Sequence, residues 1–353
     1  MHQSSMRRLT SLLSASALIA ALFVASLPGV ASAAAASCTP TGFFRDGINL
    51  TAAKIGGNVT GSLDAGGCNI GVYYDSITGS ANVTNATIFG ANYFGVVVRG
   101  TSVNVTGTTV HHIGQSPLDG TQHGIAIYYA TVDNGDATTQ PACTTGATSG
   151  TISGNTVSSY QKAGIVTNCA GTTATVSNNT VTGEGAVSYI AQNGIQVGYG
   201  AMATVTGNTV TGNAYTGANG ASSGGILVVG GSFYGLPYTV GLSITKNTLT
   251  NNDVGVWLFN ADASGNAPAT KTNNTVKLNT ISNGAVTNTT GYNATCGYQA
   301  GISDVGHKDQ IVNNMVSGVG YTPQAAGDCL GTPPAFLRFL DVDSSARGVP
   351  SNK

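Results

Sequence analysis

The residues best suited to chemistry cluster in the second quarter of the chain. His111 and His112 stand together, Asp119 follows, and His123 precedes Gly124. Arg99 lies upstream, and Lys162 falls at the place that Gln122 holds one unit earlier. Cations close to a base suit β-elimination on a uronic acid. That reaction needs a positive charge to neutralise the carboxylate and a base to take the C5 proton. Arg99 or Lys162 can supply the first, and His123 or Tyr128 the second. The same residues have a plainer reading, an Asp75–Arg99 ion pair with polar loop anchors, because structural networks also perturb titratable groups. Glycoside hydrolysis fits less well. It needs two carboxylates on one face, and the chain has one Glu and no Asp pair on neighbouring units. Acidic clusters at Asp133–Asp136 and Asp341–Asp343 lack calcium-loop spacing, and no two cysteines form a zinc knuckle. No metal and no cofactor are therefore expected.

A six-residue phrase must position these groups. It runs Ile152–Val157, Val176–Val181, Val205–Val210, Ile244–Leu249, Val276–Ile281 and Ile311–Val316, each with Asn in fourth place. Val83–Ile88 and Val105–Val110 are weaker copies without that Asn. A phrase that returns along the chain marks one winding unit stacked many times. Val or Ile flanked by Thr reads as strand alternation on both sides of a corner. Gly and Asn tolerate the left-handed backbone that a corner needs. An inward Asn can bond the corner of the next unit and satisfy groups otherwise buried unpaired. A Gly-led strand follows the phrases: Gly95–Val98, Gly124–Ile127, Gly164–Thr167, Gly194–Val197, Gly225–Val228, Gly255–Leu258 and Gly301–Asp304, with Gly71–Tyr74 opening the series. Three short strands per turn predict an all-β parallel β-helix of about eight coils.

Over residues 59 to 320 this pattern resembles the secreted right-handed parallel β-helix proteins of the pectin-lyase-like superfamily. The resemblance implies the fold firmly and the activity weakly, since that fold hosts lyases, hydrolases, epimerases, adhesins and non-enzymes. In the lyases and hydrolases the sheet built from the Gly-led strands carries the substrate cleft. Gln122–Ile125 is faintly similar to the Gly-His-Gly segment of polygalacturonases, but their paired aspartates and Arg-x-Lys segment have no counterpart here, so that activity is not carried over.

The long insertions all flank the Gly-led strand and none interrupts the Asn corner, so its outer face should floor a walled groove. With Val96, Ile125 and Ile195 pointing in, alternation turns out Val97, Ala126, Val166, Gln196, Leu227 and Trp257, and two places on Asp75, Arg99, Tyr128, Asn168, Val229 and Phe259. Asp75, Asn168 and Gln196 would bind substrate at a polar end, and Trp257 and Phe259 at an apolar end. Loop tyrosines such as Tyr199, Tyr234 and Tyr298 suit sugar rings, or merely fasten the loops. The other two faces carry Thr-x-Thr rungs (Thr156/Ser158, Thr180/Thr182, Thr209/Thr211) that could meet ice or an ordered polysaccharide, although Thr is also a good solvent-facing strand residue.

Residues 1–33 read as a secretory signal peptide, with Arg7 and Arg8, an apolar run, and a small-residue site at Ala31–Ala33. Six cysteines follow it, and near-neighbour pairing gives Cys38–Cys68, Cys143–Cys169 and Cys296–Cys329, although spacing alone does not fix connectivity. Residues 34–58 should cap one end of the helix (59–334), and 335–353 the other, protecting its edges. A net charge of −1 with no basic run argues against nucleic acid or an acidic membrane surface as partner. The expectation is a secreted, monomeric β-helix that recognises or processes extracellular polysaccharide, by lyase or epimerase chemistry if it is an enzyme. The alternative is a non-catalytic surface or structural module.

Overall fold

The computed structural model describes residues 37–131, 143, 146–217, 221–288 and 298–321, and the backbone of a final strand, Leu337–Val342. The chain winds into a parallel β-helix. One sheet of eleven strands begins with Thr39–Arg45 and Ile48–Ile55 and ends with Leu337–Val342. All its neighbours pair parallel except the first two, which form an antiparallel hairpin. This is the groove sheet. The strands on either side of the Asn corner form two further parallel stacks. The bent strand Ala81–Phe89 pairs with both and joins them into one sheet of sixteen.

The reason for this winding is visible at each face. Val83, Val105, Ile152, Val176, Val205, Ile244, Val276 and Ile311 stack in register with no exposed surface. Each coil alone has too little apolar area to fold, but stacking makes the core continuous. At the corner, Asn155, Asn179, Asn208, Asn247, Asn279 and Asn314 superpose. The backbone N and the Nδ2 of each donate to the Oδ1 of the next over 2.8–3.0 Å. Each Nδ2 also reaches back to a Val or Ile carbonyl of the preceding coil at 2.9–3.1 Å. The ladder satisfies backbone that water cannot reach. Of the two copies without Asn, Val105–Val110 has Thr108 in the place and carries the pattern on, and Val83–Ile88 has Ala86. The Thr108 backbone N donates to Asn155 Oδ1 at 2.9 Å, and its Oγ1 accepts from Ala86 N at 3.4 Å.

The Gly-led strand has a steric cause. A Cβ on Gly95 would lie 2.5 Å from both the Ala126 carbonyl oxygen and a Val110 methyl. The register corrects one expectation. Phe94 pairs with Ile125 and Ala163 with Ile125, so Ala126, not Gly124, stands opposite Gly95 and Gly164. Ala126 therefore faces the core and Ile125 faces outward, the reverse of the expected assignment. Gly124, at φ +84°, instead serves the turn that enters the strand. Lys162 accordingly aligns with Gly124, two places from Gln122, and its N–H donates to the Gly124 carbonyl.

Two of the three expected disulfides are present, Cys38–Cys68 and Cys143–Cys169. Cys296 and Cys329 lie outside the described residues, as do the segments 1–36 and 343–353 and the Asp133–Asp136 cluster. No described helix is long and apolar enough to cross a membrane.

Candidate functional site: a trough on the groove sheet

The outward row of the groove sheet runs Tyr73, Val97, Tyr128, Val166, Gln196, Leu227, Trp257 and Ser303 from coil to coil. The next row along is Arg99, Ala130, Asn168, Gly198, Val229 and Phe259. Tyr128 thus belongs to the first row and Arg99 to the second, because of the same two-residue offset at Ala126. The first coils of this face are covered. Phe43 stacks on Tyr73 and Phe94, with centroids 6.4 and 5.7 Å away, and the Arg99 guanidinium packs 4.0 Å from the Phe43 ring centre. Arg99 also donates to the Tyr73 hydroxyl at 3.2 Å. It is 5% exposed and sits under the hairpin, away from open floor. Asp75 is occupied by a turn, its Oδ1 accepting from the Ile77 and Thr78 N–H groups at 2.9 Å.

His123 is likewise held apart. Its ring stacks on Tyr93 with centroids 3.8 Å apart, and Nδ1 lies 2.8 Å from the Asn92 carbonyl. A carbonyl only accepts, so Nδ1 must carry the proton. Nε2 is then an acceptor, 3.3 Å from the Gln115 amide nitrogen. Both nitrogens are engaged and His123 lines neither pocket of the trough. His111 and His112 touch each other through their Nδ1 atoms, and the His111 ring stacks on Phe89. Burial and the neighbouring His112 hold His111 below the ordinary imidazole range.

Lys162, Tyr128, Asn168, Gln196, Trp257 and Phe259 do come together. Two adjoining pockets, about 200 and 300 Å³, share Lys162, Asn193, Leu227 and Tyr234 and form one trough. Asn168 accepts from Gln196 Nε2 at 3.1 Å. Lys162 is half-buried and donates to the Ala191 carbonyl at 2.9 Å. Loss of hydration lowers its ammonium to about 8. At the other end Trp257 lies 5.8 Å from Phe259 and 6.0 Å from Tyr298, while Phe233 and Tyr234 meet Phe259 edge-on. Tyr199 meets Tyr234 edge-on, and burial raises both phenols, Tyr234 to about 12.

The wall opposite is fastened from beneath by Asp253, which is fully buried. Its Oδ2 accepts from the backbone N of Tyr215 and Ser223 and from Asn288 Nδ2 at 2.8–3.0 Å. Burial lifts this carboxyl to about 7 against the opposing pull of those donors.

One functional group went unread in the sequence. Arg45 enters the trough from the hairpin, within 5.9 Å of the Phe43, Phe94 and Tyr128 ring centres and 3.5 Å from the Tyr128 hydroxyl. A signal for it exists. Asp46-Gly47, both at positive φ, is a two-residue hairpin turn between alternating strands, and Arg45 is the residue next to its tip. Among the described residues, those lining the trough include two cations, Arg45 and Lys162, and no Asp or Glu. Among the described residues no group of three or more His, Cys, Asp or Glu is placed to hold a metal ion.

Comparison with known proteins agrees with this geometry. A family model described as "right handed beta helix region" matches residues 69–236. Together with the parallel stacks on both sides of that region, this makes the chain a right-handed parallel β-helix repeat protein. No curated protein and no solved structure gives a significant match. The fold is of the kind shared by pectate-lyase-like enzymes and by binding proteins.

Proposed function

We propose that the trough recognises acidic sugars of an extracellular polysaccharide. The observation that carries this reading is the charge of its described lining: Arg45 and Lys162 are among those residues and no Asp or Glu is. Aromatic faces from Trp257, Phe259 and Tyr234 suit the apolar faces of sugar rings, and the Asn168, Gln196 and Asn193 amides suit their hydroxyl edges. An exported setting is supported by the two disulfides.

The chemistry such a site supports best is β-elimination. The Arg45 guanidinium neutralises the uronate carboxylate and so acidifies C5. The Lys162 amine, lowered to about 8, takes the C5 proton. The electron pair of that C–H bond becomes the C4–C5 double bond. The C4–O bond breaks and its pair leaves on oxygen, which the Tyr128 hydroxyl protonates. Hydrolysis needs two carboxylates, and none is among the described residues lining the trough. Incubation with pectate, alginate and related polymers, read as the ultraviolet absorbance of unsaturated uronides, tests the step. Turnover abolished by Lys162→Ala and Arg45→Ala supports it. Retained binding without absorbance on any polymer leaves a binding module, and absence of binding refutes the reading.

A second reading rests on the opposite face. Thr87, Thr109, Thr156, Thr180, Thr209, Thr248 and Thr280 stand in one in-register outward row with no charge among them. Such a row could lie against an ordered surface of ice or polysaccharide. On the neighbouring stack Lys277 interrupts the corresponding row after Thr245. Inhibition of ice recrystallisation by the protein is the direct assay.

A further inference from the structure

We infer that the trough takes the end of an acidic sugar chain, a segment of two or three units, and not the interior of a polymer. This rests on the acidic-sugar reading above and adds to it the mode of binding. The argument comes from where the floor stops. Along the outward row, Tyr73, Val97, Tyr128 and Val166 are buried, while Gln196, Leu227 and Trp257 keep exposed surface. The next member, Ser303, is buried again, its hydroxyl taking a hydrogen bond from the Tyr298 hydroxyl at 2.7 Å. The floor that keeps exposed surface therefore spans three coils; toward the hairpin the lining continues over the buried Val166 and Tyr128 beneath Arg45. Two inter-strand steps of about 4.8 Å make about 10 Å, room for roughly two or three hexose rings.

Both ends of that span are closed by side chains. On the N-terminal side the hairpin lies over the sheet, with Phe43 on Tyr73 and Phe94 and with Arg45 beside Tyr128. On the C-terminal side Tyr298 crosses over Ser303 and rests near Trp257. The long sides are closed too, by Phe233 and Tyr234 on one and by Ser222 on the other, the latter on the segment that Asp253 ties down. A polymer running along the coil axis would have to leave over the hairpin or over Tyr298. A chain end need leave on one side only. Arg45 stands at the hairpin end, Lys162 lines both pockets between the ends, and Trp257 and Phe259 stand at the other end, so the terminal uronate carboxylate lies toward Arg45.

Calorimetric titration of the full chain with galacturonate and mannuronate oligomers, dimer to hexamer, tests this. The expected result is affinity that rises from dimer to trimer and then changes less than twofold up to the hexamer. Long polymer should bind one protein per chain. A further tenfold gain between trimer and hexamer, or many proteins per long chain, would overturn the inference while leaving the acidic-sugar reading intact. If no oligomer binds at any length, both fall. Tyr298→Ala supplies the second measurement. Opening that end should restore a length-dependent gain beyond the trimer, and an unchanged plateau in a folded variant would refute the closure.

Discussion

The Asn corner and the trough floor lie on the same coils and follow opposite rules. At the corner the six coils from Asn155 to Asn314 repeat one another: one residue type, one bonding pattern, distances within a few tenths of an ångström. On the floor no two adjacent coils agree, and Tyr128, Val166, Gln196, Leu227 and Trp257 occupy one structural place in succession. Interactions that only hold the stack together can be the same in each coil. A site that must meet a finite ligand has to differ along its length. The contrast separates stability from recognition.

The largest expected effect tests the corner. Asn208→Ala removes the acceptor of the Asn179 N and Nδ2 donors and the donor to the Val176 carbonyl, all buried. Stranding two or more such groups at about 1–3 kcal/mol each should cost about 3 kcal/mol or more, read as a lowered midpoint in denaturant unfolding. A variant within about 0.5 kcal/mol of the parent, the usual range for an inert surface change, would break the contrast by showing the ladder to be dispensable.

Next comes the floor. Arg45→Ala should weaken binding of acidic oligosaccharides at least tenfold, about 1.4 kcal/mol, with little change in unfolding midpoint. Arg99→Ala should do the reverse, because Arg99 packs under Phe43. Equal binding losses in the two variants would erase the distinction between a cation that meets ligand and one that supports the hairpin.

A smaller effect is pH. The Lys162 ammonium titrates near 8 in the folded protein, below its ordinary 10.5, because burial disfavours charge. Affinity for an acidic sugar should therefore fall as pH rises through about 8, as the cation is lost. Elimination, which needs the neutral amine, should rise over the same interval. The same shift makes folding stability greatest above 10.5, with a decline as pH falls toward 8 and no further contribution below. Opposed pH profiles for binding and turnover, both flattened in Lys162→Met, would sharpen the assignment; parallel profiles would remove Lys162 from the chemistry. The smallest effect belongs to Thr180→Ala on the exposed row, expected within about 0.5 kcal/mol of the parent in stability.

The fold was legible in the sequence because it is written repeatedly. The Val/Ile rows, the superposed asparagines and the Thr rungs each follow from periodicity, and a repeated error would have been conspicuous. The site was legible only in part. Asn168, Gln196, Trp257 and Phe259 lie where strand alternation sends them, while Tyr128 faces outward one row away from its expected place and Lys162 stands just before its strand, opposite Gly124. Ala126 and Ile125 are reversed, because Gly124 belongs to the turn before the strand and imitates the glycine within it. Arg99 and His123 look like catalytic groups in one dimension. What removes them from the trough is tertiary: a hairpin folded over one, and Tyr93, Asn92 and Gln115 gathered around the other. Arg45 was hidden for the same reason, since nothing periodic says that a hairpin 83 residues away in sequence reaches the Tyr128 hydroxyl.

The direction of the asparagine bonds has one more consequence. Each corner amide addresses only the coil before it and the coil after it, so the ladder holds no information about how many coils there are. A whole coil can be duplicated or deleted in the middle of the stack and the junction will present the same donors and acceptors as before. Length is thus free to vary in evolution or by design, while the two ends and the trough, which do not repeat, fix which protein the stack becomes.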